Sequence, residues 1–301
     1  MAESTLTPAA AVDPSALLES TPRSRRSAWI SVLISNPVTI AAAVILAVIT
    51  LAAIFAPLLT SHDPTFLDPA VRLMSPSTDY ILGTDDRGRD IFARVIYGGR
   101  TSLLIGLSVT AAAALMGSLL GLVSGYYPRL DSLIMRAMDG LMAFPSILLA
   151  IAIMASLGPS AINVFIALAV VYTPTVARLV RSTTLVTKQQ AYVESARSIG
   201  MSDRAILLKY IFPNGISPLI VQCTFVVAYA IISEASLSFL GAGVDPETPT
   251  WGNMLRDGQR VLQRAWWLAV FPGAALVLTV LSLNLLGDGL RDALDPRARK
   301  R

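Results

Sequence analysis

Few side chains in this sequence are equipped for bond-making chemistry. It holds one histidine, His62, and one cysteine, Cys223, in 301 residues. That excludes an internal disulfide, a His-rich site and any Cys-based metal cluster. It also leaves no Ser/His/Asp or metal set for catalysis. No Gly-x-x-x-x-Gly-Lys-Ser/Thr phosphate loop occurs, so the chain has no ATPase motif of its own. The remaining ionisable groups inform by their placement. Glu234 lies within the apolar run VVAYAIISEASLSFLG, where a carboxylate is costly and faces protein or water. Two roles fit it. Either it lines the route of a substrate carrying an amine, or it is protonated or bonded to Ser233, Ser236 or a neighbouring helix. Arg136 and Asp139 are three apart, the spacing of a helix-end pair. No chain of acids is present such as a proton-driven pump needs.

Between two long apolar stretches lies a polar segment, AYVESARSIGMSDRAILLKYIFP, residues 191–213. Ala191 to Ile199 has good helix formers and a compact apolar stripe at Ala196 and Ile199/Gly200. Gly200 is a natural stop, since glycine takes a left-handed backbone without steric cost. Ser202 can cap a second helix, and Asp203 suits the positive end of its dipole. That helix runs to Phe212 and Pro213, where the missing N–H forces an end or a kink. The expected shape is a short helix held out on a bend, a handle. An ordinary amphipathic connector is the plainer alternative.

The elements around this segment are built for a bilayer. Apolar residues make up 54% of the chain and charged residues 15%, with a mean hydropathy of +0.62. Soluble domains carry about a quarter charged residues. Crossing a bilayer takes roughly 20 apolar residues per helix, and stretches near 37–59, 101–124, 135–157, 160–180, 216–240 and 266–287 qualify. The expectation is one all-α membrane domain of six spans over 29–301, with an outer loop at 60–100 and an inner loop at 181–215. The first 28 residues are rich in Ser, Pro and Ala and read as a disordered tail. The first apolar run lacks a small-residue cleavage site and reads as an uncleaved anchor.

Basic residues set the orientation. With the N-terminus inside, the inner segments hold Arg23, Arg25, Arg26, Arg129, Arg136, Arg178, Arg181, Lys188, Arg197, Arg204, Lys209, Arg291, Arg297, Arg299, Lys300 and Arg301. These are 16 of the 24 Lys and Arg, and the outer segments hold the other eight. The bias favours both termini in the cytoplasm and places the handle there too. The net charge of +4 is spread over loop ends as membrane topology requires, which argues against nucleic-acid binding.

On the second span, Ala113, Gly117, Gly121 and Gly125 recur every four residues. That puts four small residues on one face, where a neighbouring helix can approach closely; lining a pathway is the other use of such a face. Pro174, Pro218 and Pro272 fall within or at the ends of other spans and allow kinks.

The handle is similar to the cytoplasmic loop of ABC-importer permeases, which carries Glu-Ala-Ala, three residues, Gly, twelve residues, then Pro. Glu194, Ser195 and Ala196 fill the triplet, and Gly200 and Pro213 follow at those spacings. Ser195 replaces the middle Ala, and Phe212 the family's Leu before proline; both changes are small. ILGTDDRGRDIFARVIYGGRTSL at 81–103 resembles a segment before the second span in the peptide and nickel group, with Arg87, Arg89 and Asp90 expected to pair locally. Residues 135–151, 234–255 and 284–297 resemble the same group. These stretches lie at intervals between residues 81 and 297, and the resemblance is read over most of the chain from about residue 30 onward.

The resemblance is to the DppC/OppC-like permeases, and it implies a type I ABC-importer fold with a cytoplasmic coupling helix. It implies a second, DppB/OppB-like permease, two ATPase subunits that bind ATP and Mg, and an extracytoplasmic substrate-binding protein. It implies a di- or oligopeptide substrate in a bacterial inner membrane, with nickel or glutathione as alternatives and no cofactor in this chain. Tyr192, Glu194, Ser195, Ala196, Ile199 and Gly200 then become ATPase-coupling residues, with Glu194 as polar anchor and Ala196 and Gly200 permitting close approach. A secondary transporter driven by an ion gradient, or a membrane scaffold, fits less well.

Overall fold

A computed structural model describes residues 36–294. The tail expected over 1–28, and the basic residues Arg23, Arg25, Arg26, Arg297, Arg299, Lys300 and Arg301, lie outside them. The described residues form helices and no strand; one isolated bridge pairs Thr84 with Asp90. In chain order the helices are α1 (Pro37–Ile54), α2 (Ala56–Leu59), α3 (Ile91–Tyr126), α4 (Pro128–Met142), α5 (Ser146–Leu157), α6 (Ala161–Thr187), α7 (Ala191–Ser198), α8 (Asp203–Ile206), α9 (Phe212–Leu240), α10 (Trp251–Arg260) and α11 (Trp267–Leu294). Five runs are long and apolar enough to cross a membrane, and α4 with α5 make a sixth if that bent pair is one span.

Side-chain caps open these helices where the sequence supplies Asn, Asp, Ser or Thr. Asn36 accepts from Val38 N–H, Asp90 from Phe92 and Ala93, Ser160 from Ile162, and Thr250 from Asn253. Each satisfies a donor that has no partner inside its helix.

Three expectations change. The second span is not 101–124 but a 36-residue helix that starts at Ile91. At 1.5 Å per residue it is about 54 Å long, well beyond a hydrocarbon core of about 30 Å. Its first turns therefore occupy part of the expected 60–100 loop. The third span, 135–157, is broken: α4 and α5 meet at 90°. Pro145 is the cause, because it supplies no N–H and disfavours helical backbone at the residue before it. Finally, of the end or kink expected at Pro213, the end does not occur. A π-helical stretch, Leu207–Ile211, precedes it, and Asp203–Leu240 runs on as one candidate span. The wider turn relieves the clash between the proline ring and the preceding turn.

α3 packs most extensively along α6, while α9 lies against α3, α6 and α11. One apolar cluster joins Val109, Met154, Val164, Leu168, Ala230 and Leu237. A second joins Leu122, Tyr126, Val180, Val193, Ala196 and Ile206, which brings the handle into the same core as the long helices.

Candidate functional site

In the structure the handle, expected over 191–213, is the turn of chain from Lys188 to Ile211 that carries α7 and α8. α7 ends in a Schellman turn: Gly200 N–H donates to the Arg197 carbonyl at 3.0 Å and Met201 N–H to the Ala196 carbonyl at 3.1 Å. This closure needs a left-handed residue at Gly200, whose φ is +80°. Ser202 then opens α8 by accepting from Ala205 N–H.

α7 has two faces. Val193 and Ala196, three apart, point into the chain and are buried. Tyr192, Glu194, Ser195, Ser198 and Ile199 point outward. Ile199 is 78% exposed and Tyr192 43%. Ala196 therefore meets its own chain and offers no surface to a partner. The apolar stripe expected at Ala196 and Ile199/Gly200 is split, since the turn at Gly200 swings Ile199 away. Ser195 bonds the Ala191 carbonyl within α7.

The handle is fastened to the C-terminal end of α3. The Tyr126 hydroxyl donates to Asp203 Oδ1 at 2.6 Å and accepts from Arg197 Nη2 at 3.3 Å. The Arg197 guanidinium also lies 5.7 Å from the Tyr126 ring centre, within reach of a cation–π attraction. The Tyr126 bond holds the Arg197 guanidinium above its ordinary value. One residue earlier, the Gly125 carbonyl accepts from Lys188 Nζ at 2.7 Å. Residues on both sides of α7 thus converge on Gly125 and Tyr126. Sequence reading missed this clasp, because Tyr126 and Asp203 are 77 residues apart and no motif marks either.

Neighbouring ion pairs hold α4 to α6. Arg181 makes two bonds of 2.6 Å to Asp131, and Arg178 meets Asp139 at 2.6 Å. Asp139 therefore pairs across helices and not with Arg136, as its spacing predicts.

The small-residue stripe faces α6. A Cβ on Gly117 would sit 2.6 Å from Val176 Cβ, one on Gly121 2.6 Å from the Ala177 carbonyl oxygen, and one on Gly125 2.7 Å from Thr184 Cβ. Ala113 is fully buried above them.

Glu234 is 0% exposed. Ser102 on α3 donates to one of its oxygens at 2.8 Å and Ser238 to the other at 2.9 Å. Ser233 and Ser236 bond elsewhere, to Tyr172 and to the Ile232 carbonyl. In this conformation the carboxylate joins α3 to α9 through these two serines.

Just ahead of α3 the residues Arg87, Arg89 and Asp90 do not pair with one another. Asp85 binds the Arg89 side chain at 2.5 Å and two backbone N–H groups of the 85–89 turn. Arg89 also reaches Asp257 at 3.2 Å, and Arg87 reaches Glu247 at 2.6 Å. The Arg87 guanidinium holds the Glu247 carboxyl below its usual range, while burial pushes Asp257 up. Asp90 caps α3 and meets His62 at 3.1 Å. These long-range pairs tie the start of α3 to the loop and helix that follow α9.

Five helices long and apolar enough to cross a membrane, or six with the bent pair, define a multi-pass membrane protein. The model for the binding-protein-dependent transport system inner membrane component matches residues 113–300, and the N-terminal transmembrane domain of oligopeptide transport permease C matches residues 25–76. The chain belongs to the binding-protein-dependent transport system inner membrane component family, the permeases of ABC importers. It is 46% identical over 256 residues to a putative peptide transport system permease of Brucella suis biovar 1, covering 85% of this chain and 86% of that protein. It is 46% identical over 265 residues to the dipeptide transport system permease DppC of Alkalihalophilus pseudofirmus, covering 88% and 87%. The glutathione transport system permease GsiD of Escherichia coli O6:K15:H31 is 48% identical over 260 residues, covering 86% of each.

Proposed function

We propose that this chain is one of two unlike permease subunits of an ATP-driven importer for di- or oligopeptides in a bacterial inner membrane. Both termini and the handle face the cytoplasm, and an extracytoplasmic binding protein delivers substrate outside. Two ATPase subunits bind ATP and Mg and carry out hydrolysis; this chain carries neither. The observation that carries the coupling role is the arrangement of α7. Its inner face is anchored on α3, while Tyr192, Glu194 and Ile199 stand free for a cleft in an ATPase. When the ATPases close around nucleotide, α7 moves with them. The Tyr126 clasp passes that displacement to α3, and the pathway shared with the second permease opens outward. Hydrolysis resets it inward.

The peptide reading is supported by the relatives, which include dipeptide and di/tripeptide transport permeases. Glutathione is the second reading, favoured by the 48% identical relative. The test is uptake of labelled dipeptide, with glutathione in parallel, into vesicles holding the whole complex and its binding protein. The proposal expects uptake that needs ATP hydrolysis and survives collapse of the ion gradients. Uptake that follows an ion gradient without ATP would overturn it.

A further inference from the structure

Two cavities line the inner half of the groove between α6 and α9. One, of about 360 Å³, lies beside the α4–α5 break and is bordered by Phe144, Ser146, Tyr172, Thr175, Gln222 and Tyr229. The other, of about 470 Å³, continues toward the inner ends of α9 and α11 and is bordered by Leu179, Ser217, Pro218, Gln222 and Arg291. Gln222 belongs to both, so they meet at its side chain. Along α6 the groove follows Tyr172, Thr175 and Leu179, which share one helical face. Toward the outer side it stops. The Tyr172 hydroxyl pairs with Ser233 Oγ at 2.7 Å and donates to the Tyr229 carbonyl at 3.2 Å. Beyond that point the buried cluster of Val164, Leu168, Ala230 and Leu237 fills the space between the helices.

The lining has a distinct chemistry. Arg291, at the inner mouth, is the only charged residue of the lining among the described residues. Otherwise apolar walls alternate with hydroxyl and amide groups of Ser146, Thr175, Ser217 and Gln222. Polar side chains at membrane depth face protein or water and mark pathways. A lipid tail gives the Gln222 amide no hydrogen-bond partner, whereas an extended peptide presents amide groups between side chains of any kind.

We propose that the α6–α9 groove is this subunit's wall of the substrate route, that it recognises peptide backbone and not side-chain charge, and that the Tyr172–Ser233 contact is its outer seal. The inference rests on the importer reading above.

Cysteine accessibility in the whole complex tests it, in inside-out vesicles and a Cys223→Ser background. Thr175→Cys and Gln222→Cys should each react with a charged, membrane-impermeant methanethiosulfonate without nucleotide. Labelling should fall several-fold when the ATPases are trapped closed with ATP and vanadate. Two positions on different helices guard against one variant failing to assemble, which co-elution of the subunits checks. Reaction with an apolar maleimide only, in every state, would make this a lipid-facing groove and overturn the proposal while leaving ATP-driven uptake intact. Absence of ATP-driven peptide uptake with the unaltered chain would overturn both readings. As a second arm, Tyr172→Phe keeps the ring but removes the seal. ATP hydrolysis without binding protein should rise several-fold over the unaltered complex, and an unchanged rate would overturn the seal.

Discussion

At Gly200 the backbone φ of +80° closes the Schellman turn, and nothing lies within 4 Å of where a Cβ would go. A substitution there is penalised by conformation and not by crowding. Left-handed backbone costs non-glycine residues about 1–2 kcal/mol, and β-branched residues fit it least well. Gly200→Val should therefore refit the end of α7 and reduce ATP-driven uptake roughly tenfold, the factor that 1.4 kcal/mol represents. Normal subunit co-elution should accompany the loss; wild-type uptake would contradict the coupling role. Tyr126 tests the same link from its other side. Tyr126→Phe removes two bonds to charged partners, each contributing about 2 kcal/mol, yet leaves the ring packed. Peptide transported per ATP hydrolysed should drop, and an unchanged ratio would remove Tyr126 from the coupling path. Glu234 separates hydrogen bonding from charge. Glu234→Ala leaves the Ser102 and Ser238 hydroxyls without their acceptor and should lower the melting temperature. Glu234→Gln keeps an acceptor and should lower it less. If the two variants melt alike but differ in substrate uptake, the carboxylate serves the pathway instead.

Packing between elements depends most on α3 and α6. Their contact is tight because glycines stand where backbone and side chains of α6 press closest. Gly121→Leu would place a large side chain against the Ala177 carbonyl, 2.6 Å from the Cβ position. Overpacking of this kind costs about 3 kcal/mol, or more where backbones are held apart. The expected result is a lower melting temperature and weaker subunit co-elution in detergent. Unchanged stability with altered substrate choice would instead make the stripe a pathway surface. The same closeness bears on transmission. α3 is bonded to the handle at Gly125 and Tyr126, and the residues just ahead of its N-terminus are tied to α10 through the Arg89–Asp257 pair. A single helix thus spans from the handle to the outer ion-pair set.

For the molecule as a whole, orientation is the property most open to direct measurement. The distribution of basic residues predicts that the 60–100 and 242–265 segments lie outside and α7 inside. Ser77→Cys or Gln259→Cys, in a Cys223→Ser background, should react with an impermeant thiol reagent on intact cells. Ser198→Cys should react only once the membrane is opened. All three positions are exposed, so burial does not confound the comparison, and reversed labelling would overturn the orientation and the coupling role with it.

Composition and local pattern determined what depends on neighbours along the chain. A run of about 20 apolar residues has to satisfy its backbone as a helix in lipid, so the membrane class and most spans were legible. The Gly200 stop and the Ser202 cap marked the handle, because a left-handed stop and a cap are local requirements. Tertiary structure decided whatever depends on residues distant in sequence. Asp139 takes Arg178 in preference to Arg136, and Arg87 takes Glu247, because folding brings those guanidinium groups within 2.6 Å. Ala196 turns inward because the core beneath α7 is assembled from α3, α6 and α8. Glu234 is enclosed by a serine 132 residues away, and Tyr126 becomes the handle's anchor through an aspartate on another helix. Helix formation is dictated by neighbours three and four residues apart, whereas burial and charge pairing are set by how the helices pack, which spacing alone does not encode.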